Sequence, residues 1–175
     1  PRASHDYRAG WKVHHHLAQD FQAPLKDMPD GDDLPLRPVN DRRAPVRVDF
    51  PAYACAITGS ARKSGRGGPV VGYAATELLL VLLADLQPQE ILSYGGTASD
   101  GSTGSDIFVP HAYKSYDLLP PHMTCHTARD GAADVLQIFA LARAFYVTAE
   151  AFVPGRFDRN ALHLGPRHTA KLTFT

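Results

Sequence analysis

Turn-forming residues recur roughly every eight to twelve positions through most of this chain, and that spacing limits what it can fold into more than any other feature. Fourteen glycines and fourteen prolines among 175 residues leave room for many short strands but not for a helical bundle. Proline removes a backbone donor, and glycine loses the most conformational freedom on ordering. In "VRVDF", Val46, Val48 and Phe50 face one way and Arg47 and Asp49 the other, the period of a half-buried strand. "TELLLVLLADL" (76–86) does not alternate, but a Gly-rich loop before it and Pro88 after it favour a buried strand over a helix. "EILSYGGTASDGSTGSDIFVP" reads as two strands around the turn "SDGSTG", and "ARDGAAD" carries the Asp-Gly signature of a tight hairpin. Residues 133–152 mix alanine and leucine with Val135, Ile138, Phe139, Phe145, Tyr146 and Val147. That β-propensity argues for two strands joined near Ala142 and Arg143. "SARKSGRGG" (60–68) is expected to be a flexible, basic hairpin tip or loop.

The closing stretch "GRFDRNALHLGPRHTAKLTF" is the most specific. It predicts a turn at Gly155, a strand burying Phe157, Ala161 and Leu162, a corner at Gly165-Pro166 and a final strand. In that last strand Ala170, Leu172 and Phe174 face inward while Lys171 and Thr173 face out. Asn160 is placed to pin the turn by side-chain hydrogen bonds to backbone.

One helix is expected. In "AGWKVHHHLAQDFQAPL" (9–25), Trp11, His14, His15, Ala18 and Phe21 form a stripe at three- and four-residue steps, and Pro24 stops it. With no helical partner in the sequence, it should dock on something outside these residues. Prolines 110, 120 and 121 hold "PHAYKSYDLLPPHM" extended, which marks a domain boundary. The expected fold is therefore mainly β: one α-helix over 1–25, then two small antiparallel β-sandwiches over 26–110 and 111–175.

Hydrophobic residues make up 44% of the chain, enough for a packed core. The formal charge of +0 removes the electrostatic case for a nucleic-acid or anionic-membrane partner. The apolar run 74–86 is too short for a bilayer, which needs ~20 such residues. The polar start carries no signal peptide, which favours a cytoplasmic location, and Ala-, Arg- and Pro-rich usage points to a high-GC bacterium. A chain that begins at Pro1 rather than Met is expected to be a fragment or a processed product. Cys55 and Cys125 are too few for a disulfide framework and are expected to be ordinary buried or half-buried thiols.

Motifs that could carry chemistry all have a plainer reading. Three adjacent histidines at 14–16 point about 100° apart on a helix and cannot converge on one ion. His122, Cys125 and His126 lack a fourth ligand and a zinc spacing. The Gly-rich stretch 94–106 has no phosphate-binding lysine and no following helix. No Ser sits in a nucleophile elbow. Asp27, Asp30, Asp32 and Asp33 crowd a solvated turn in which nothing would raise a carboxyl pKa. "RKSGRGG" has no interleaved aromatics to bind nucleic acid. No cofactor and no metal are expected.

The closing motif resembles the C-terminal Ig-like domain of β-mannosidases of the glycoside hydrolase family 2 type, where a Gly-x-Phe-Ser-Asp-Asn stretch is followed by Phe or Leu, a Pro-Gly corner and an alternating strand. Gly155, Phe157, Asn160, Leu162, Leu164 and Lys171-Leu172-Thr173-Phe174 fit that pattern. Asp158-Arg159 replaces Ser-Asp, and Gly165-Pro166 inverts Pro-Gly. Upstream, "VPHAYKSYDLLPP" resembles the family's linker between its last two sandwiches, "PVNDRRAPVRVDF" the opening strands of the preceding one, and "WKVHHHLAQDFQAPL" the last helix of the catalytic (β/α)₈ barrel. An exo-β-glucosaminidase acting on chitosan is a close rival.

The resemblance implies a non-catalytic accessory region bracing the barrel of an exo-acting β-mannosidase. A retaining glycosidase needs two carboxyls about 5 Å apart in one pocket, and none of Glu77, Glu90 and Glu150 matches a catalytic motif of the family. No catalytic residue is carried over. Trp11, Phe21, Pro24, Gly155, Phe157 and Asn160 are the candidate interdomain docking residues, and the barrel is the implied partner. A second reading is a sugar-binding module for β-mannoside oligosaccharides, with Tyr94, Tyr113 and Tyr116 as its aromatics. A third, a stand-alone enzyme, would have to use Glu77, Glu90 or Glu150.

Overall fold

A computed structural model describes residues 33–36, 47–67, 79–99, 101, 103–131 and 133–175. The expected helix, with Trp11, Phe21 and Pro24, lies outside them, as do Glu77, Asp27, Asp30 and Asp32. Among the described residues the chain is mainly β, in antiparallel sheets, and it divides into two compact units between Asp117 and Leu118.

The first unit holds β1 (Asp33–Leu36), β2 (Val48–Ala56), β3 (Ala61–Gly67), β4 (Leu79–Leu82), β5 (Glu90–Ala98) and β6 (Thr103–Phe108). β1 pairs with β4, and the other four form one sheet in the order β3-β2-β5-β6. Of the strand expected over 76–86, Leu79–Leu82 is strand and Leu83–Asp85 is a short 3-10 turn, while the strands on either side of the 99–102 turn are where the pattern puts them. Strand alternation sends Ala52, Ala54, Leu92 and Tyr94 to the covered face, all 9% exposed or less. Residues 113–117 stay with this unit because Gln89 holds them. Its Nε2 donates to the Ser115 carbonyl at 3.1 Å, and its Oε1 accepts the Asp117 N–H at 2.9 Å. Tyr116 is buried, with its hydroxyl donating to the Glu90 carbonyl.

One expectation fails here. Residues 61–67 are not a loop but β3, an edge strand paired along β2. The tight turn lies earlier, where Gly59 takes φ 110°. A basic, glycine-bearing stretch suits an edge, where charge discourages pairing with other chains, and a register shift between Ala52 and Tyr53 relieves its fit to β2.

The second unit holds β7 (Thr124–Asp130), β8 (Ala133–Ala140), β9 (Ala144–Val147), β10 (Leu162–Leu164) and β11 (His168–Phe174). β8 lies between β11 and β7, and β9 pairs with β10. The hairpin turns at Gly131 (φ 63°), and the two strands of 133–152 separate after Ala140, as the pattern predicts. The core collects Ile138, Ala140, Ala144, Val147, Leu164, Ala170 and Leu172, with Phe157 and Leu162 packed against it. Phe157 sits in a single bridge to Phe174 rather than in a strand, so the strand expected there begins only at Leu162.

Candidate functional site

The closing motif is an internal lock. Phe157 and Phe174 meet edge to face with ring centroids 5.2 Å apart, an arrangement that aromatic quadrupoles favour. Gly155 lies against the same ring: at φ 144°, a Cβ there would fall 2.4 Å from Phe174 Cζ. Asn160 pins the turn as its sequence position implies. Its Oδ1 accepts the Ala149 N–H at 2.8 Å, and its Nδ2 donates to the Ala149 carbonyl at 2.8 Å. Asp158 and Arg159, which stand where the motif this stretch resembles has Ser-Asp, both bond β11: Asp158 Oδ1 accepts the Thr173 N–H, and Arg159 Nη2 donates to the Lys171 carbonyl. The described contacts of Gly155, Phe157 and Asn160 thus lie within 118–175.

Of the glutamates, Glu90 is committed to structure. Arg62 Nε donates to its Oε1 at 3.1 Å and Nη2 to its Oε2 at 2.7 Å, a two-pronged pair joining β3 to the start of β5. Oε2 also accepts the Gln87 N–H at 3.0 Å. The Arg62 hydrogen bond holds the Glu90 carboxyl below the usual glutamate range, the reverse of what a catalytic acid needs. Glu150 is exposed.

Among the described residues no group of three or more His, Cys, Asp or Glu converges as metal ligands would, and no helix is long and apolar enough to cross a membrane. Cys55 is half-buried, but Cys125 is exposed, contrary to expectation, because every residue of the edge strand β7 faces solvent.

The outer face of the four-stranded sheet carries the concave site. β2 and β5 pair at Val48–Asp49 with Thr97–Ala98 and again from Ala52 with Tyr94, stepping over Pro51 and Gly95. Proline offers no N–H to the ladder, and Gly95 offers no side chain, so the sheet surface sinks between them. The groove has a volume of about 380 Å³. In register around Gly95 stand Ser93 and Thr97 on the same strand, Ser105 on β6, and Tyr53 and Asp49 on β2. Gly95 is required: a Cβ there would lie 2.8 Å from the Gly104 carbonyl oxygen and 2.9 Å from Ser105 Cβ.

Of the three tyrosines singled out by sequence, Tyr94 alone is among the groove's lining residues, and it is nearly covered. Tyr94 is 9% exposed and Tyr116 6%, so both serve the core, and only Tyr113 remains open at 37%. The exposed aromatic at the groove is Tyr53, at 40%. It was legible from the alternation Asp49, Pro51, Tyr53, which continues the outward side of "VRVDF" past the proline.

The fold is one that this chain shares with part of two much longer glycosidases of known structure. The described sheets match a β-D-mannosidase from Dictyoglomus thermophilum with a TM-score of 0.74 at 14% identity, over 99% of this chain and 22% of that one. They match an exo-chitosanase from Amycolatopsis orientalis, solved with a β-D-glucosamine derivative, with a TM-score of 0.61 at 14% identity, over 98% and 25%. The resemblance read from the closing motif is thus borne out at the level of the fold. This chain spans about a quarter of the length of either enzyme. No family model matches the sequence, and no curated protein does.

Proposed function

We propose that this chain is the non-catalytic C-terminal region of an exo-acting β-mannosidase, comprising the last helix of its barrel (1–25) and two Ig-like sandwiches (26–110 and 111–175). The observation that carries this reading is the lopsided coverage, nearly all of this chain against 22% of a β-mannosidase. The described glutamates agree: one is held by Arg62 and the other is exposed. The parent would cut terminal β-D-mannosides in the cytoplasm, and this region would brace its barrel. A parent acting on β-D-glucosaminides is the second reading, and the lower TM-score of the exo-chitosanase ranks it behind.

Two measurements test the proposal. The purified chain is expected to leave a chromogenic β-mannoside intact. Hydrolysis that disappears in Glu90→Gln or Glu150→Gln would overturn the reading. The coding sequence upstream of Pro1 is expected to encode a barrel with two active-site glutamates, and an unrelated open reading frame there would end it.

A further inference from the structure

We propose that the glycine-floored groove on the outer face of β2, β5 and β6 is a carbohydrate-binding site that takes one or two units of a hexopyranose chain. The site goes beyond the accessory reading, and its failure would leave that reading as it stands.

The chemistry of the lining sets the ligand class. A pyranose ring has an apolar C–H face and a rim of hydroxyls that both donate and accept. It is held by an aromatic surface together with short polar side chains of both kinds. Tyr53 supplies the exposed aromatic, at 40%, and an aromatic ring can stack on the C–H face of a sugar. Ser93, Thr97 and Ser105 supply hydroxyls that donate and accept, and Asp49 adds an acceptor.

The spacing also fits. Ser93 and Thr97 stand four residues apart on one strand, roughly 13 Å at ~3.3 Å per residue, with the bare Gly95 backbone between them. The volume of about 380 Å³ is within the range of small-molecule sites. Among the described lining residues the one charged side chain is Asp49, which does not favour an anionic ligand. The depression depends on two residues: a side chain at 95 would run into Gly104 and Ser105 of β6, and the pairing of β2 with β5 steps over Pro51 and Gly95.

The test is calorimetric and NMR titration of the 175-residue chain with mannotetraose and, separately, with tetraglucosamine. At least one should bind with a dissociation constant on the order of 1 mM, shifting amides of Ser93–Thr97 and Ser105. The mannose arm alone would assign a neutral sugar, and the glucosamine arm an amino sugar facing Asp49. Tyr53→Ala should weaken binding at least tenfold and Thr97→Val severalfold. Tyr113→Ala, which removes an exposed aromatic outside the groove, should leave it unchanged. Amide spectra of each variant establish that it is folded. Absence of binding to both sugars, shifts confined to other surfaces, or equal losses in Tyr53→Ala and Tyr113→Ala would overturn the site.

Discussion

The two units solve the same problem, closing a small antiparallel sheet, by opposite means. In 118–175 the backbone is forced. All four non-glycine residues with left-handed φ among the described residues fall there: His122, Tyr146, Ala161 and Arg167. Each such residue costs about 1 kcal/mol or more and persists only where surrounding packing over-determines it. The packing is the core around Ile138, Leu164 and Leu172, with Phe157 and Phe174 locked at its edge. In 33–117 the corresponding work is done by residues that need no forcing. Pro51 interrupts a ladder, Gly95 permits close approach of β6, and alanines at 52 and 54 keep the covered face shallow. A unit that stores strain and buries its specific side chains is suited to holding a shape, whereas one that leaves a polar depression on its open face is suited to contact with a ligand.

The sharpest way to break this contrast is Gly155→Ala. The new methyl would meet Phe174 Cζ at 2.4 Å and the Thr175 carbonyl oxygen at 2.8 Å, at a φ of 144°. Backbone strain and overpacking together should cost about 3 kcal/mol, read by chemical denaturation. A loss under about 1 kcal/mol would mean that the Phe157–Phe174 lock is looser than the ring geometry implies.

Asn160→Ala comes next. It strands the Ala149 N–H and carbonyl, each now bonded at 2.8 Å, and unsatisfied backbone groups at a half-buried site should cost about 2 kcal/mol. Asn160→Asp keeps the acceptor but sets a carboxylate against the Ala149 carbonyl, so it should recover only part of the loss. Full recovery would show that the donor half of the contact is idle.

The first unit is tested through Arg62→Met. Glu90 is depressed chiefly by its hydrogen bond to Arg62. A depressed carboxyl stabilises the fold above its unfolded pKa, near 4.5, and the contribution is lost as pH falls through the lower folded value. Arg62 is 46% exposed, so solvent screening limits the difference between wild type and variant to about 1 kcal/mol at neutral pH. That difference should shrink in acid and with added salt. A gap independent of pH would assign Arg62 to packing instead.

Much of this was legible in the sequence, and the misses share a cause. The hairpins at 99–102 and 131, the break after Ala140 and the inward set Ala170, Leu172 and Phe174 follow from turn chemistry and period two, which are local. β3 was not local: "ARKSGRG" becomes a strand because β2 offers it an edge and Glu90 anchors Arg62, and neither is visible in its own residues. The same holds for Tyr94, whereas Tyr116 lies outside any strand and is buried where Gln89 holds its segment. Alternation tells which residues share a face, but only pairing of the sheet tells which face is covered. The groove depended on Pro51 standing inside a central strand, where a sequence rule would end the strand.

The smallest effect concerns the corner where the chain departs from the motif it resembles, and it carries the opposite sign. Gly165-Pro166 looks like an inverted Pro-Gly, but the turn is in the ordinary order, displaced by one residue. The His168 N–H bonds the Gly165 carbonyl at 3.2 Å, so Pro166 and Arg167 are the two central positions. Proline fits the first, and the second requires positive φ, which Arg167 adopts at 56°. The motif's glycine is therefore replaced by arginine at the one position where glycine has an advantage, while Gly165 occupies a place that does not need it. Arg167→Gly removes about 1 kcal/mol of left-handed strain, and the greater freedom of glycine in the unfolded chain offsets roughly half. A net gain of about 0.5 kcal/mol should appear as a small rise in Tm. A loss would mean that the Arg167 side chain, exposed at this corner, makes a contact worth more than the strain it imposes.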